Sequence, residues 1–257
     1  MVTLLQLPLS GQVILITGAG KNLGRAVALE AAARGAAIGV NVRTDVESAN
    51  KVADEIRALG SRAVVLKGDV SLEHDVNQMV AMCQKELGPI STVIHCAAYR
   101  SHKPTRDLSY DEWKMTFAVS LGGAHLLARS TLSSMTDSGF GRFIFIAGSS
   151  SVFGLPDGCA HVAASKSALR GFARSLAQEV GDKGVTANVV SPGPINSGGS
   201  RTLAPMGRWD PIRASALGRM ATSQEVASLI LYLCTPEAAI IQGQVIMADG
   251  GVFGFDD

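Results

Sequence analysis

Seven short runs of nearly continuous apolar residues, each but the last followed by a longer amphipathic stretch, restrict this chain to very few architectures. The runs are Val13–Thr17, Ala37–Val42, Ala63–Lys67, Thr92–Cys96, Phe143–Ala147, Thr186–Val190 and Gln244–Ala248. They are of strand length and do not alternate apolar with polar, which is the pattern of strands covered on both faces of a parallel sheet. Helical patterns fill the intervals. Leu23–Arg34 stops at Gly35, Val46–Leu59 at Gly60, and Glu73–Leu87 at Gly88-Pro89. Ser109-Tyr-Asp-Glu112 is a capping box that predicts a long helix to about Leu132, and Cys159–Val180 predicts the next. Thr222-Ser-Gln-Glu225 opens a last helix to about Cys234. Strict alternation of this kind gives right-handed crossovers and an α/β, doubly wound seven-stranded parallel sheet in one domain spanning 1–257.

Composition narrows the function classes. With 257 residues, 47% hydrophobic and 18% charged, the chain has ample core material and is not of disordered type. A net charge of +1 offers no electrostatic footprint for nucleic acid or anionic lipid. Cys83, Cys96, Cys159 and Cys234 are scattered, without CxxC or a cluster at metal-ligand spacing, so free thiols in a reducing compartment are expected. Met1–Ser10 is apolar but has no basic segment, and no apolar run approaches the roughly 18 residues of a membrane span. A cytoplasmic protein acting on a small molecule, with no nucleic-acid or membrane partner and no metal, is the expectation.

The turn after the first strand reads Thr17-Gly18-Ala19-Gly20-Lys21-Asn22-Leu23-Gly24. A glycine-rich turn between strand and helix brings backbone N–H groups up to a phosphate, and the helix N-terminus adds partial positive charge. At the end of the second strand, Val40-Asn41-Val42-Arg43-Thr44 lacks the acid that would accept from a ribose 2′-hydroxyl. Arg43, with Lys21, suits a 2′-phosphate instead, while Asp45 stands two residues on as the competing carboxylate. These residues favour NADP(H) over NAD(H).

Over residues 11 to 251 the sequence resembles the short-chain dehydrogenase/reductase family. Its glycine motif, TGxxxGxG, is matched except that Asn22 replaces the second glycine. Asp69-Val70 matches the adenine contact. His95-Cys96-Ala97-Ala98 stands where NNAG is usual, and Ser191-Pro192-Gly193-Pro194-Ile195-Asn196-Ser197 resembles the segment that holds the nicotinamide carboxamide. Leu217-Gly218-Arg219-Met220 and Asp249-Gly250-Gly251 resemble the C-terminal signature. The resemblance implies a nicotinamide dinucleotide held by Gly18, Lys21, Asn22, Leu23, Arg43, Asp69, Val70, Ala97, Lys166, Pro192, Gly193 and Ile195. It also implies a homodimer or homotetramer, for which the small residues Gly122, Gly123 and Ala124 would permit close helix approach.

The family's chemistry rests on Asn, Ser, Tyr and Lys, the last two as YxxxK on one helix face. Here Lys166 is present but Val162 occupies the tyrosine position. Ser120 stands for the asparagine. The serine falls on Gly148, Ser149 or Ser151 according to the direction of counting, with Ser149 the compromise. Candidates for a replacement proton donor are His161, provided that the helix begins after it, and Tyr99, His102 and Lys103 in the loop after the fourth strand. The segment Ile195–Met220, an insertion near 195–220 carrying Arg201, Arg208, Trp209 and Arg213, reads as a substrate loop. The expectation is an NADP(H)-dependent carbonyl/alcohol oxidoreductase with a non-standard proton donor. A silent dinucleotide-binding protein and a non-redox lyase or isomerase on the same scaffold are the rivals.

Overall fold

In the computed structural model, residues 7–153, 158–196 and 215–251 are described. Seven parallel strands form one sheet: β1 (Val13–Thr17), β2 (Ala37–Val42), β3 (Ala63–Lys67), β4 (Thr92–His95), β5 (Gly141–Ile146), β6 (Val185–Pro192) and β9 (Val245–Ala248), in the order β3-β2-β1-β4-β5-β6-β9. β1, β2, β4, β5 and β6 are buried along their whole lengths, which is why their sequences do not alternate.

Two cores form, one on each face. α3 (Glu73–Leu87), α5 (Gly123–Ser138) and α7 (Ala160–Val180) set Val76, Leu127 and Leu169 against Phe143 and Val189. α1 (Asn22–Ala33), α2 (Val46–Ala58) and α8 (Ser223–Leu233) set Val27, Ile56 and Ile230 against Ile14 and Ile144. Each fully buried aliphatic side chain contributes about 1.5–3 kcal/mol by leaving water. The doubly wound single sheet expected from the sequence is therefore present.

Several element ends shift by a residue from the sequence reading, and three elements differ by more, each for a tertiary reason. β5 starts at Gly141 rather than Phe143, because Arg142 is inside the sheet, opposite Thr92, and only 2% exposed. β6 runs to Pro192, whose carbonyl accepts the Ser149 N–H at 2.9 Å. The single helix expected from Ser109 to about Leu132 is three pieces: α4 (Tyr110–Phe117), a π-helical turn (Ala118–Gly122) and α5, which continues to Ser138. The capping boxes at Ser109 and Thr222 form as read.

A two-residue parallel pairing, β7 (Ile195–Asn196) with β8 (Ala221–Thr222), clamps both ends of the 195–220 segment. Arg201, Arg208, Trp209, Arg213 and Ser197 lie outside the described residues. No helix among the described residues is long and apolar enough to cross a membrane, and no group of His, Cys, Asp and Glu side chains there could hold a metal.

Candidate active site

The strand order reverses between β1 and β4, so the loops leaving their C-terminal ends diverge and open a crevice. Gly18 enters it with φ +63°, and a Cβ there would stand 3.2 Å from the backbone of Ala97. A Cβ at Gly24 would strike the Gly18 carbonyl oxygen. Asn22 holds the glycine position by adopting φ +51°, alone among the described non-glycine residues. Asparagine tolerates this left-handed conformation better than most side chains, which explains how the motif survives the substitution. α1 begins behind Lys21 without a side-chain cap, leaving its first N–H groups facing the crevice mouth, as an anion-binding helix start requires. The buried Asn41 amide donates to the carbonyls of Leu66 (3.0 Å) and Gly68 (3.1 Å), and its oxygen accepts from Gly18 N–H at 3.4 Å, tying the glycine turn to β3.

A cavity of about 240 Å³ lies beside this turn, lined by Gly18, Lys21, Arg43, Thr44, Asp69 and Val70 among others. Asp45 lines the same cavity while it caps α2, one carboxylate oxygen accepting the Ser48 N–H at 3.1 Å. Arg43 is half-exposed, its guanidinium 3.9 Å from the Asp69 carboxylate. The residues present therefore fit a nicotinamide dinucleotide, with both cations (Lys21, Arg43) and carboxylates (Asp45, Asp69) in the lining. A larger cleft, about 460 Å³, lies at the opposite end of β3. Its arginines are already used: Arg57 donates to the Ala63 carbonyl and Arg62 to that of Leu87, so it offers no convergent chemistry.

At the end of β4, His95 is fully buried and fully bonded. Its Nδ1 accepts from Thr17 Oγ1 at 2.9 Å, while Nε2–H reaches the carbonyls of Val119 and Ser120, each at 3.1 Å. Those carbonyls belong to the π-helical turn. Burial, with the Lys166 charge, pushes the His95 pKa down to about 3, so this imidazole is a neutral structural bridge. The same turn carries Ser120, 1% exposed, whose hydroxyl has no partner among the described residues.

Lys166 is 5% exposed and donates to the Ile146 carbonyl at 2.7 Å. Burial, and next the Arg100 charge, lower its pKa to about 8. Val162 lies one turn before it on α7 and is buried, with no polar atom to offer. His161 sits in the first turn of α7, since the helix begins at Ala160. The condition that the helix start after His161 is not met. Instead the loop after β4 comes to the ring: Ser101 Oγ lies 3.1 Å from His161 Nε2, and Nδ1 is buried without a partner among the described residues. Ser149 is buried beside Pro192, held by its N–H, while Ser151 turns its hydroxyl to Ser191 at 3.5 Å and its carbonyl to Ser167.

Two of the other loop candidates are engaged, and the third lines the cavity. Lys103 pairs with Glu112 at 2.6 Å, His102 Nδ1 contacts the Cys159 thiol at 3.3 Å, and Tyr99 packs on the core beside the dinucleotide cavity. Ile195 opens β7, and Gly193 approaches Asp249 so closely that a Cβ would stand 2.8 Å away. The structure thus gathers Lys166, Ser149 and Ser120 around the ends of β4 to β6, and Gly18, Lys21, Asn22, Leu23, Arg43, Asp69, Val70 and Ala97 around β1 to β3. Sequence reasoning missed Arg100 and Ser101. Both lie between Tyr99 and His102, in the loop already singled out, and their partners on α7 are about 60 residues away.

A parallel sheet in this order, with a glycine turn at its switch point and a buried lysine on the neighbouring crossover helix, defines a dinucleotide-binding oxidoreductase fold. A family model described as enoyl-(acyl carrier protein) reductase matches residues 18–253. The 3-oxoacyl-(acyl-carrier-protein) reductase of Pseudomonas aeruginosa is 31% identical over 95% of this chain and 98% of its own. A short-chain dehydrogenase/reductase of Hericium erinaceus is 35% identical over 93% of this chain and 96% of its own. A short-chain dehydrogenase of Burkholderia cenocepacia, solved in complex with NADP, superposes with a TM-score of 0.87 at 25% identity, covering 95% of this chain and 99% of its own. The chain belongs to the short-chain dehydrogenase/reductase family, and the enzyme is an oxidoreductase.

Proposed function

We propose that this protein reduces a carbonyl to an alcohol with NADPH, or the reverse, using Lys166 in place of the missing phenol as proton donor. The observation that carries this reading is the state of Lys166: buried, with one backbone acceptor, no carboxylate partner among the described residues, and a pKa near 8. A lysine lowered to that range is a competent general acid at neutral pH. The Burkholderia relative bound to NADP and the exposed Arg43 and Lys21 support the phosphorylated cofactor.

Bound NADPH supplies a hydride to the carbonyl carbon. Lys166 Nζ then gives its proton to the developing alkoxide, breaking one N–H bond as the O–H bond forms, and regains a proton from water. Ile146 holds the ammonium in place through its carbonyl. Ser149 and Ser120 are the hydroxyls available to orient the substrate oxygen. His161 lies in the first turn of α7 rather than before it, so it serves as the comparison variant for the Lys166 role.

NADPH oxidation with a panel of ketones and aldehydes tests the proposal. Lys166→Met should lower kcat/KM by about 10²–10⁴-fold and His161→Ala by less than tenfold. The native rate should fall above pH 8, as Lys166 loses its proton. The opposite order of the two variants gives the role to His161, and no NADPH oxidation with any carbonyl leaves the silent-binder or lyase reading.

The four cysteines are free thiols, which supports a reducing, cytoplasmic location. A homodimer or homotetramer is also proposed. Gly123 and Ala124 do not support it, because both are buried inside the chain, Gly123 against His95 and Val70. The support is instead exposed apolar surface, at Tyr232 and at Ile240, 91% exposed. Light scattering should give a multiple of 26.7 kDa, and a monomer mass refutes it.

A further inference from the structure

The His95 imidazole stands where the family motif has an amide side chain, and the fold binds it on both sides. β1 and β4 are in register there, with Thr17 opposite His95. Thr17 Oγ1 accepts the Ala97 N–H at 3.1 Å and lies 2.9 Å from His95 Nδ1. On its other side the ring meets two consecutive carbonyls of the π-helical turn, Val119 and Ser120, each 3.1 Å from Nε2. A carbonyl only accepts, so Nε2 carries the proton. Burial keeps the ring neutral, so Nδ1 is the acceptor and the Thr17 hydroxyl donates to it. The partners thus fix the tautomer, and Ala97, Thr17, His95 and the turn form one directed chain of hydrogen bonds.

The two ends of this chain are the two halves of the site. At one end the glycine turn closes on Ala97: a Cβ at Gly18 would stand 3.2 Å from the Ala97 backbone. Gly18 and Ala97 both line the dinucleotide cavity. At the other end the π-helical turn carries the buried Ser120. The ring is also held from the side, since a Cβ at Gly123, where α5 begins, would stand 3.1 Å from its Cε1. A π-helical turn interrupts the regular α-helical ladder, so outside partners weigh more in setting where its backbone lies. Here the outside partner is a single imidazole N–H, shared by two carbonyls.

We infer that His95 is a positioning residue for the reaction: it holds the turn that presents Ser120 at a fixed place relative to the cofactor's glycine turn. The inference deepens the reductase reading and rests on it, specifically on Ser120 orienting the substrate oxygen. His95 is fully buried, so it acts through Ser120 and not on the substrate itself.

The test is a double-mutant cycle in NADPH oxidation, with a carbonyl that the native protein reduces. His95→Gln keeps a donor and an acceptor but loses the geometry of the ring. It should lower kcat by about tenfold and leave KM for NADPH within about twofold of native. Ser120→Ala should also lower kcat. In that background His95→Gln should add less than about twofold, because the serine it positions is gone. His95→Leu, which removes both bonds, should fall further than His95→Gln; circular dichroism checks its fold, and His95→Gln carries the test if it does not fold. NMR of isotope-labelled histidine rings gives a readout without turnover: the ring whose signals are absent from His95→Gln should be neutral and protonated at Nε2. Equal falls from His95→Gln with and without Ser120, or no fall from Ser120→Ala, overturn the inference and leave the Lys166 reading standing. A ring protonated at Nδ1 overturns it too, since the two carbonyls then lose their donor. No NADPH oxidation by the native protein with any carbonyl overturns the reductase reading and this inference with it, a failure visible before any variant is made.

Discussion

Two buried cations lie at opposite ends of β5, and they are treated differently. Arg142, near the start of the strand, is saturated. It donates to the carbonyls of Gly141 (2.8 Å), Gly184 (3.2 Å) and Thr235 (3.3 and 3.4 Å), and its guanidinium stacks 4.2 Å from the Phe140 ring. Lys166, against the last residue of the strand, has one acceptor and a second cation nearby. At this end of the sheet Ser120 Oγ and His161 Nδ1 are also buried with no partner among the described residues. At Arg142 the buried charge is matched by main-chain carbonyls, which is what a structural charge requires, although the hydroxyl of the neighbouring Thr186 has no partner among the described residues. Lys166 has a single acceptor among the described residues, which leaves N–H groups free for a ligand. Burial alone therefore does not distinguish a structural cation from a chemical one; the number of satisfied donors does.

Substitutions can break this contrast. The largest effect on stability is expected at Arg142. Arg142→Met strips the Thr235 carbonyl of its donors and removes those of Gly141 and Gly184, costing about 3 kcal/mol or more. In a chain of this length that is a fall in Tm of roughly 6–12 °C, readable by calorimetry. Kinetics of a folded Arg142→Met variant should stay within about twofold of native, because the residue is at the far end of the sheet. A loss of activity without loss of stability would reverse the assignment of the two ends.

Lys166 should show the opposite behaviour. Its folded pKa, about 8, lies below its unfolded value of 10.5, so between those pH values the unfolded chain binds more protons. The burden that Lys166 places on the fold is complete below pH 8 and fades as pH rises towards 10.5. Stability of the native protein relative to Lys166→Met should therefore rise across that window, by up to about 3 kcal/mol. Urea denaturation of both proteins at about pH 7.5 and about pH 10 measures it. A difference that does not change with pH would mean that Lys166 is not a strained cation.

Within the C-terminal end, cofactor choice is a smaller effect. Arg43→Ala should weaken NADPH binding by about 1.5–3 kcal/mol and leave NADH nearly unchanged. Fluorescence titration with both cofactors decides, and equal losses would exclude a phosphate contact. The smallest effect is expected at Asn22. At φ +51°, Asn22→Ala should cost about 1 kcal/mol, while Asn22→Gly should not destabilise, a pair to be compared by chemical denaturation.

The cofactor half was the more legible in sequence because its causes are local. The glycine turn and the missing acid after β2 act within a few residues of where they are written. The chemical half was less legible. Val162 and Lys166 announce that the usual donor is gone, but the π-helical turn at Ala118–Gly122 carries no local signal of its own. Two of its carbonyls are taken by His95, which is on a strand more than twenty residues earlier. The early start of β5 was hidden for a related reason: Arg142 looks like a loop residue until its three carbonyl partners are assembled around it.

The sequence by itself determined the alternation of buried strands and amphipathic helices, hence the parallel sheet, its switch-point crevice and the phosphate-binding turn. Those follow from hydrophobic period, glycine conformation and helix capping, which are properties of neighbouring residues. Tertiary structure alone decided that Ser101 meets His161, and that Lys166 is buried against the Ile146 carbonyl with no carboxylate partner among the described residues. Charge balance and hydrogen-bond satisfaction depend on which distant groups share a small volume, and that is fixed only when the sheet and its crossovers have packed.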